Sequence, residues 1–344
     1  MKLCVYAICK NELKFIDKWL ENMSEADYIV VLDTGSTDGT YEKLKADSRV
    51  TRVEQKEIKP WRFDVARNES MKLIPADTDV CICTDPDELF EPGWAKCIRS
   101  KWIVGKTLRG EYTYAWGHDE ENNPTILYKY NKIHANDPRY HWIYPCHERV
   151  ELSDDEIGDF KVADPERYID FGTNIFLHHW QDKSKNRSNY LDLLKLSAEE
   201  NPKNLHISML YARELTIWNK VEEGIAVYLK ILENPDIDLP KWRLTLLDSL
   251  LLTANAYFSL NKLDLSTWYV TEFIRIDSTY REPYLVLATI YQVQGNYTLA
   301  KGCIDLAKKY CYQHYTWVEH SDAYNGWLER LEAEINNKLP PEVV

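Results

Sequence analysis

The chain has 344 residues and a formal net charge of −13, long enough for two domains that each bury a core. Its acidic balance argues against a broad phosphate-backbone footprint on DNA or RNA, so an anionic ligand would need a bound cation or a few placed basic groups. No apolar run reaches the ~20 residues of a membrane span, and the opening stretch MKLCVYAICKNE is broken by Lys10, Asn11 and Glu12 too early for a signal peptide. A cytoplasmic protein is expected, and its eight cysteines, with no C-x-x-C pair, fit reduced and buried thiols there.

From residue 1 to about 180, short apolar runs alternate with helical patterns. LCVYAI (3–8) predicts a strand, ELKFIDKWLENM (12–23) a helix and YIVVLD (28–33) a second strand. TDGTYEKLKA then predicts a helix with Thr37 or Asp38 as its cap. RVTRVE is a third strand, a helix follows around 64–74, and DVCICTD is a fourth strand. This order predicts a parallel sheet with helices on both faces, whose ligands sit at the carboxyl ends of the strands. The acidic clusters Asn11-Glu12, Asp33 to Asp38 and Asp85 to Glu88 all fall at such ends.

Between 100 and 180 the runs GEYTYAWGH, TILYKYNKI, RYHWIYPCHERVEL and TNIFLHHW predict aromatic-rich antiparallel strands that extend the sheet. The acidic insert at 153–167 is expected to be a loop or flap. After about 183 the strand signals stop. A connecting helix is expected over 183–200 and helical repeats over 201–338. Tyr284, Leu287, Ala288, Tyr291, Gly295, Ala300, Ile304 and Ala307 fall where tetratricopeptide repeats place packing residues; Leu250, Ala254 and Tyr257 align 34 residues earlier, and a looser copy holds Ala212 and Leu215. The stretch DIDLPKWR adds about one helical turn between copies.

Two acidic stretches carry candidate chemistry. In DTGSTDGT, Asp33 ends a strand and could accept hydrogen bonds from a base or ribose, while Gly35 admits close approach to the backbone; a turn with a cap accounts for the same pattern. In TDPDEL, Pro86 ends the strand and sets a turn from which Asp85 and Asp87 present oxygens toward one point. Hard divalent ions prefer such ligands and share them with phosphates, and a cation would relieve the repulsion between the carboxylates.

Taken in order, AICKNE, VVLDTGSTDGT, FDVARNESM and CTDPDELF resemble the nucleotide-sugar half of family 2 glycosyltransferases, which have the GT-A fold. The likeness covers the first 95 residues closely and continues through CHERV and LHHW to about 190, giving a catalytic domain over 1–182. It implies a donor activated by a nucleoside diphosphate, usually UDP, and a divalent cofactor, Mn²⁺ or Mg²⁺. Carried over residue by residue, it implies that Ile8, Asn11 and Glu12 line the nucleoside pocket and Asp33 contacts base or ribose, with Thr34 where many relatives have a second Asp. Arg67 and Asn68 would lie near the donor, Asp85 near ribose or a metal-bound water, and Asp87 on the metal. His178 and His179 point to opposite sides of a strand, and the resemblance favours His179 as a further metal ligand. Lys185 and Arg187 are expected at the diphosphate, unless they only open a solvated helix. Glu148 in PCHERV is the expected base for an inverting transfer, with Asp119 in WGHDEE as the alternative.

The expected acceptor is a glycan, a lipid-linked saccharide or a protein, and the repeats are expected to dock a partner or mediate self-association. Two alternatives stay open. A sugar nucleotidyltransferase would also use paired carboxylates, but AICKNE lacks the Gly-rich phosphate loop expected of one. A repeat scaffold with a lapsed first domain would not need to keep Asp85, Asp87, Arg67 and Glu148 together.

Overall fold

The computed structural model describes residues 1–152, 167–182, 189–309 and 326–339. The chain divides into two compact units, Met1–Arg187 and Ser188–Val344. The first is a mixed α/β unit and the second is all helical.

Strand β1 (Leu3–Cys9) is buried along its whole length, as a central strand covered on both faces must be. Its side chains alternate between two cores. Leu3, Val5, Ala7 and Cys9 join Ile16, Trp19 and Leu20 of helix α1 (Leu13–Met23), whereas Cys4, Tyr6 and Ile8 join Ala66 and Trp142 on the other face. β2 (Tyr28–Asp33), helix α2 (Thr40–Ala46), β3 (Arg52–Gln55), helix α3 (Phe63–Met71) and β4 (Val80–Cys83) complete a parallel block in the order β3-β2-β1-β4. A three-residue strand, β5 (Glu88–Phe90), follows the TDPD turn, and helix α4 (Trp94–Lys101) follows it.

The sheet then continues with β6 (Arg109–His118) and β7 (Pro124–Ala135), a long antiparallel hairpin whose β7 lies against β4. Two expectations change here. β8 (Tyr140–Ile143) and β9 (Arg149–Leu152) do not extend the sheet; they form a separate two-stranded ribbon. β10 (Tyr168–Asp170) and β11 (Phe176–His179) run parallel to β6, because they are one edge line along it, interrupted by a 3₁₀ turn at Gly172–Asn174. β11 meets β5 antiparallel on its far side. Residues 153–166 of the acidic insert lie outside the described residues.

In the second unit, helix α5 (Tyr190–Glu200) packs on α6 (Leu205–Ile217), so the expected connecting helix belongs to this unit. α6 pairs with α7 (Val221–Leu232), α8 (Arg243–Ser259) with α9 (Leu263–Ile276), and α10 (Glu282–Val293) with α11 (Tyr297–Lys309); α12 (Trp327–Asn336) follows. All three hairpins turn the same way. Asn219, Asn261 and Gly295 take the left-handed conformation (φ 60°, 55° and 75°). The next residue's N–H then closes a six-to-one bond, Lys220 to Leu215 O, Lys262 to Tyr257 O and Asn296 to Tyr291 O.

Small residues recur 12 apart in each hairpin, Ala212 and Gly224, Ala254 and Ser266, Ala288 and Ala300, and the first two pairs meet across it. A Cβ on Gly224 would come within 2.9 Å of Ala212 O and 2.6 Å of Thr216 Cγ2, and Ser266 Oγ donates to Ala254 O at 2.8 Å. These features are compatible with tetratricopeptide-like repeats. The DIDLPKWR insertion becomes a 3₁₀ turn at Pro240–Trp242. No described helix is long and apolar enough to cross a membrane.

Candidate active site

Three strand ends of the parallel block supply the expected acidic residues, and each settles its charge differently. At the end of β2, Asp33 is buried and its Oδ1 accepts from Gly35 N (2.9 Å), Ser36 N (2.8 Å) and Gln55 Nε2 (3.0 Å). Burial alone would raise this carboxyl, but the bonds from Ser36, Gln55 and Gly35 outweigh it and hold Asp33 below the ordinary range. Gly35 sits at φ +107°, which lets the chain fold back onto Asp33.

The Asn11-Glu12 corner is knitted to the same loop. Asn11 N donates to Ser36 Oγ, Asn11 Oδ1 accepts from Thr37 N, Glu12 N donates to Thr40 Oγ1, and Leu13 N donates to Asp38 Oδ2. Asn11 therefore shapes the DTGSTDGT loop through its side chain, and Glu12 is buried behind it. Thr34, in place of a second Asp, turns its hydroxyl back to Cys9 O (3.0 Å). Ile8 is a core residue of the α3 side.

At the end of β4 the carboxylates are held by side-chain cations. Arg67 of α3 is buried and spans the site: Nε donates to Glu148 Oε1 (2.8 Å), and Nη1 and Nη2 reach the two oxygens of Asp85 (2.9 and 3.0 Å). Its guanidinium also lies 5.0 Å from the centre of the Trp142 ring. Burial works against its charge, but Asp85, Cys83 and Glu148 keep it protonated well beyond the ordinary range.

Lys132 of β7 lies 3.6 Å from Asp85 Oδ2 and 3.6 Å from Glu88 Oε1, over the Tyr130 ring. Glu88 is buried and braces the turn, accepting from Asp85 N (2.9 Å) and Tyr114 OH (2.9 Å). Burial raises its carboxyl, with Lys132 acting in the opposite sense. The crowding of Asp85 and Glu88 is thus relieved by the chain's own Arg67 and Lys132, where the sequence had suggested a metal ion. Asp85 is engaged by both cations, on its two oxygens by Arg67 and on Oδ2 by Lys132.

Asp87 and His179 form the remaining pair. β11 places His179 opposite Glu88, Trp180 N donates to Asp87 O (2.7 Å), and His179 Nε2 lies 3.5 Å from Asp87 Oδ2. The Nδ1 of His179 is buried with no hydrogen-bond partner among the described residues, so no other contact fixes its tautomer. An oxygen and a nitrogen 3.5 Å apart suit two ligands of one divalent ion at about 2.1 Å each. Among the described residues no group of three or more His, Cys, Asp and Glu side chains is placed to hold a metal. The two protein ligands would therefore share the ion with phosphate oxygens and water. His178 faces elsewhere, with Nδ1 2.9 Å from His118 Nε2.

Two expected residues make local bonds that shape the fold. The Asn68 side chain donates to Trp142 O and accepts from Trp142 N (both 2.8 Å), pinning β8 to α3. Asp119 caps the turn of the β6–β7 hairpin, accepting from Glu121 N, Asn123 N and Asn123 Nδ2. Lys185 and Arg187 lie outside the described residues.

Lys132 is the member that pattern reading missed. Gly110 pairs with Ile133 but Tyr112 pairs with Tyr130, so β7 spends one more residue than β6 over this interval. That bulge breaks the alternation of TILYKYNKI at Asn131-Lys132 and re-aims the lysine. Nothing in the alternation distinguishes Lys132 from Lys129, which lies exposed three residues earlier in the same strand.

Residues 4–102, within the first unit, match the model described as glycosyl transferase family 2. The lipopolysaccharide core biosynthesis glycosyltransferase LpsC of Rhizobium meliloti (strain 1021) is 27% identical over 128 residues, 36% of this chain and 47% of that protein. The chain thus spans about half the length of the curated relative it matches. Among solved structures, S. aureus TarS 1–349 in complex with UDP-GlcNAc is similar at a TM-score of 0.40 and 15% identity, covering 91% of this chain and 93% of that one. MamA (AMB-1) is similar at a TM-score of 0.30 and 14% identity, covering 35% and 66%.

Proposed function

We propose that the chain is an inverting glycosyltransferase that takes a sugar from a nucleoside-diphosphate donor, UDP by preference, to a hydroxyl of a glycan, lipid-linked or protein acceptor. The observation that carries this is Arg67, which ties Asp85 at the donor end of β4 to Glu148, 81 residues away in sequence. Asp33, in its ring of donors, faces the base or ribose, and Asp85 faces the ribose. Asp87 and His179 would hold a divalent ion, Mn²⁺ or Mg²⁺, which when bound offsets charge on the diphosphate. Lys185 and Arg187 are proposed to add positive charge there.

Glu148, oriented by Arg67, takes the proton of the acceptor hydroxyl. The acceptor oxygen forms its bond to the anomeric carbon from the side opposite the diphosphate, the bond from that carbon to the phosphate oxygen breaks, and the nucleoside diphosphate leaves with its electron pair. The helical unit is proposed to dock the acceptor's carrier, a protein partner or a second copy. The described cysteines are all free, which supports a cytoplasmic setting.

Titration calorimetry with UDP tests the donor assignment. Binding should depend on Mn²⁺ and weaken about tenfold or more in Asp87→Ala; absence of binding with and without Mn²⁺ overturns it. Glu148→Gln should keep UDP binding while sugar transfer falls by about a hundredfold or more. Undiminished transfer would move the base elsewhere.

A further inference from the structure

Lys132 has a place in the site that the transfer reaction does not use. Its ammonium is buried, sits at a strand bulge, and touches carboxylates from both ends of the TDPDE turn. Bulges beside functional sites commonly re-aim one side chain, and here the extra β7 residue falls at that lysine. We propose that Lys132 is the resident counter-cation of residues 84–91, a positioning residue that holds this loop in its ligand-ready shape before any divalent ion or donor arrives.

The loop has two struts. One is Asp85, gripped on both oxygens by Arg67. The other is Glu88, whose Oε2 takes the Asp85 N–H and whose Oε1 takes the Tyr114 hydroxyl. Glu88 is almost wholly buried, and a buried carboxylate without a counter-charge is strongly unfavourable. Lys132 supplies that charge and joins the struts, since the same ammonium reaches Asp85. Burial works against the charge on Lys132, but Glu88, Tyr130 and Asp85 hold it protonated far beyond the ordinary lysine range. Asp87 is thereby left facing His179 in a loop whose shape does not wait for the metal. That the loop receives a donor rests on the proposed function; its order without ligand is measured separately.

The experiment is amide hydrogen exchange of residues 84–91 in the full chain, after chelation and again with Mn²⁺, for the wild type, Lys132→Met, Lys132→Arg and the double variant Lys132→Met/Glu88→Gln. The metal-free wild-type loop should already be protected, with Mn²⁺ changing its exchange by less than about threefold. Lys132→Met should exchange about tenfold faster or more, because it strands Glu88. Lys132→Arg should recover most of the protection. So should the double variant, which removes both charges and keeps the test decisive if Lys132→Met fails to fold.

A wild-type loop that exchanges fast until Mn²⁺ is added would overturn the proposal. So would a Lys132→Met loop as protected as wild type, or a double variant that stays open, since packing rather than charge would then be responsible. UDP titration on the same samples separates the two readings. A protected wild-type loop that binds no UDP removes the donor site and leaves the role of Lys132 standing.

Discussion

The loops after β2 and β4 start from the same problem, several carboxylates crowded at the end of a buried parallel strand, and solve it with different materials. Asp33 is surrounded by donors from its own neighbourhood: two backbone N–H groups within three residues, and one glutamine from the next strand. Asp85 and Glu88 depend on two long cationic side chains, Arg67 from helix α3 and Lys132 from a strand that pairs with β4 only much later in the chain. Backbone donors arrive with the turn and cannot be deleted by a single side-chain change. Side-chain cations tie distant segments together, but each can be lost alone, and its loss strands a charge. The first loop is locally specified, whereas the second is specified by the tertiary fold.

Arg67→Met tests this contrast most harshly. It leaves Asp85 and Glu148 without their shared partner and should lower stability by about 3 kcal/mol or more, read as a shift of the urea midpoint at unchanged slope. Arg67→Lys should fall between, because an ammonium keeps the charge but cannot fork to both Asp85 oxygens while also reaching Glu148. A loss no larger than that of a surface substitution would mean that the two loops are held alike.

The same contrast decides what could be read from the amino-acid sequence. The parallel block was legible because β1, β2 and β4 are buried runs followed by helical periodicity, and the acidic clusters follow directly from their ends. Arg67 and Glu148 were legible only through resemblance; no spacing rule brings residues 67 and 148 together. Lys132 was not legible because a bulge breaks the two-residue alternation where it matters. The direction of β11 was missed because β10 and β11 are one interrupted edge line, and a 3₁₀ turn at Gly172–Asn174 gives no sign that the chain resumes along the same neighbour. The bonds of Asn68 to Trp142 and of Asp119 to its own turn were not legible either, since a motif-like setting says nothing of which local donors and acceptors a polar side chain meets. In the helical unit Ala212, Ala254, Ala288, Ala300 and Gly295 were readable from the repeat pattern, whereas Gly224, Ser266 and the left-handed Asn219 and Asn261 emerge only from the structure.

The mildest test concerns Asp33, where two of the three donors come from the loop itself. Gly35 N, Ser36 N and Gln55 Nε2 all converge on Oδ1, while Oδ2 faces the Cys9 thiol at 3.5 Å. Asp33→Asn can keep its oxygen toward those three donors, so it loses the charge-assisted part of the bonds rather than the bonds themselves. The expected cost at pH 7 is about 1–2 kcal/mol, well under that of Arg67→Met. The pH dependence follows from the sign of the shift. Because the folded carboxyl is held below its ordinary value of 3.8, the unfolded chain binds the proton first. Its contribution is therefore complete above about pH 5 and is lost as pH falls through the folded value. Urea midpoints of wild type and Asp33→Asn should thus lie apart at pH 7 and draw together below about pH 3. A gap that stays constant across that range would mean that the Asp33 charge is not what its ring of donors stabilises.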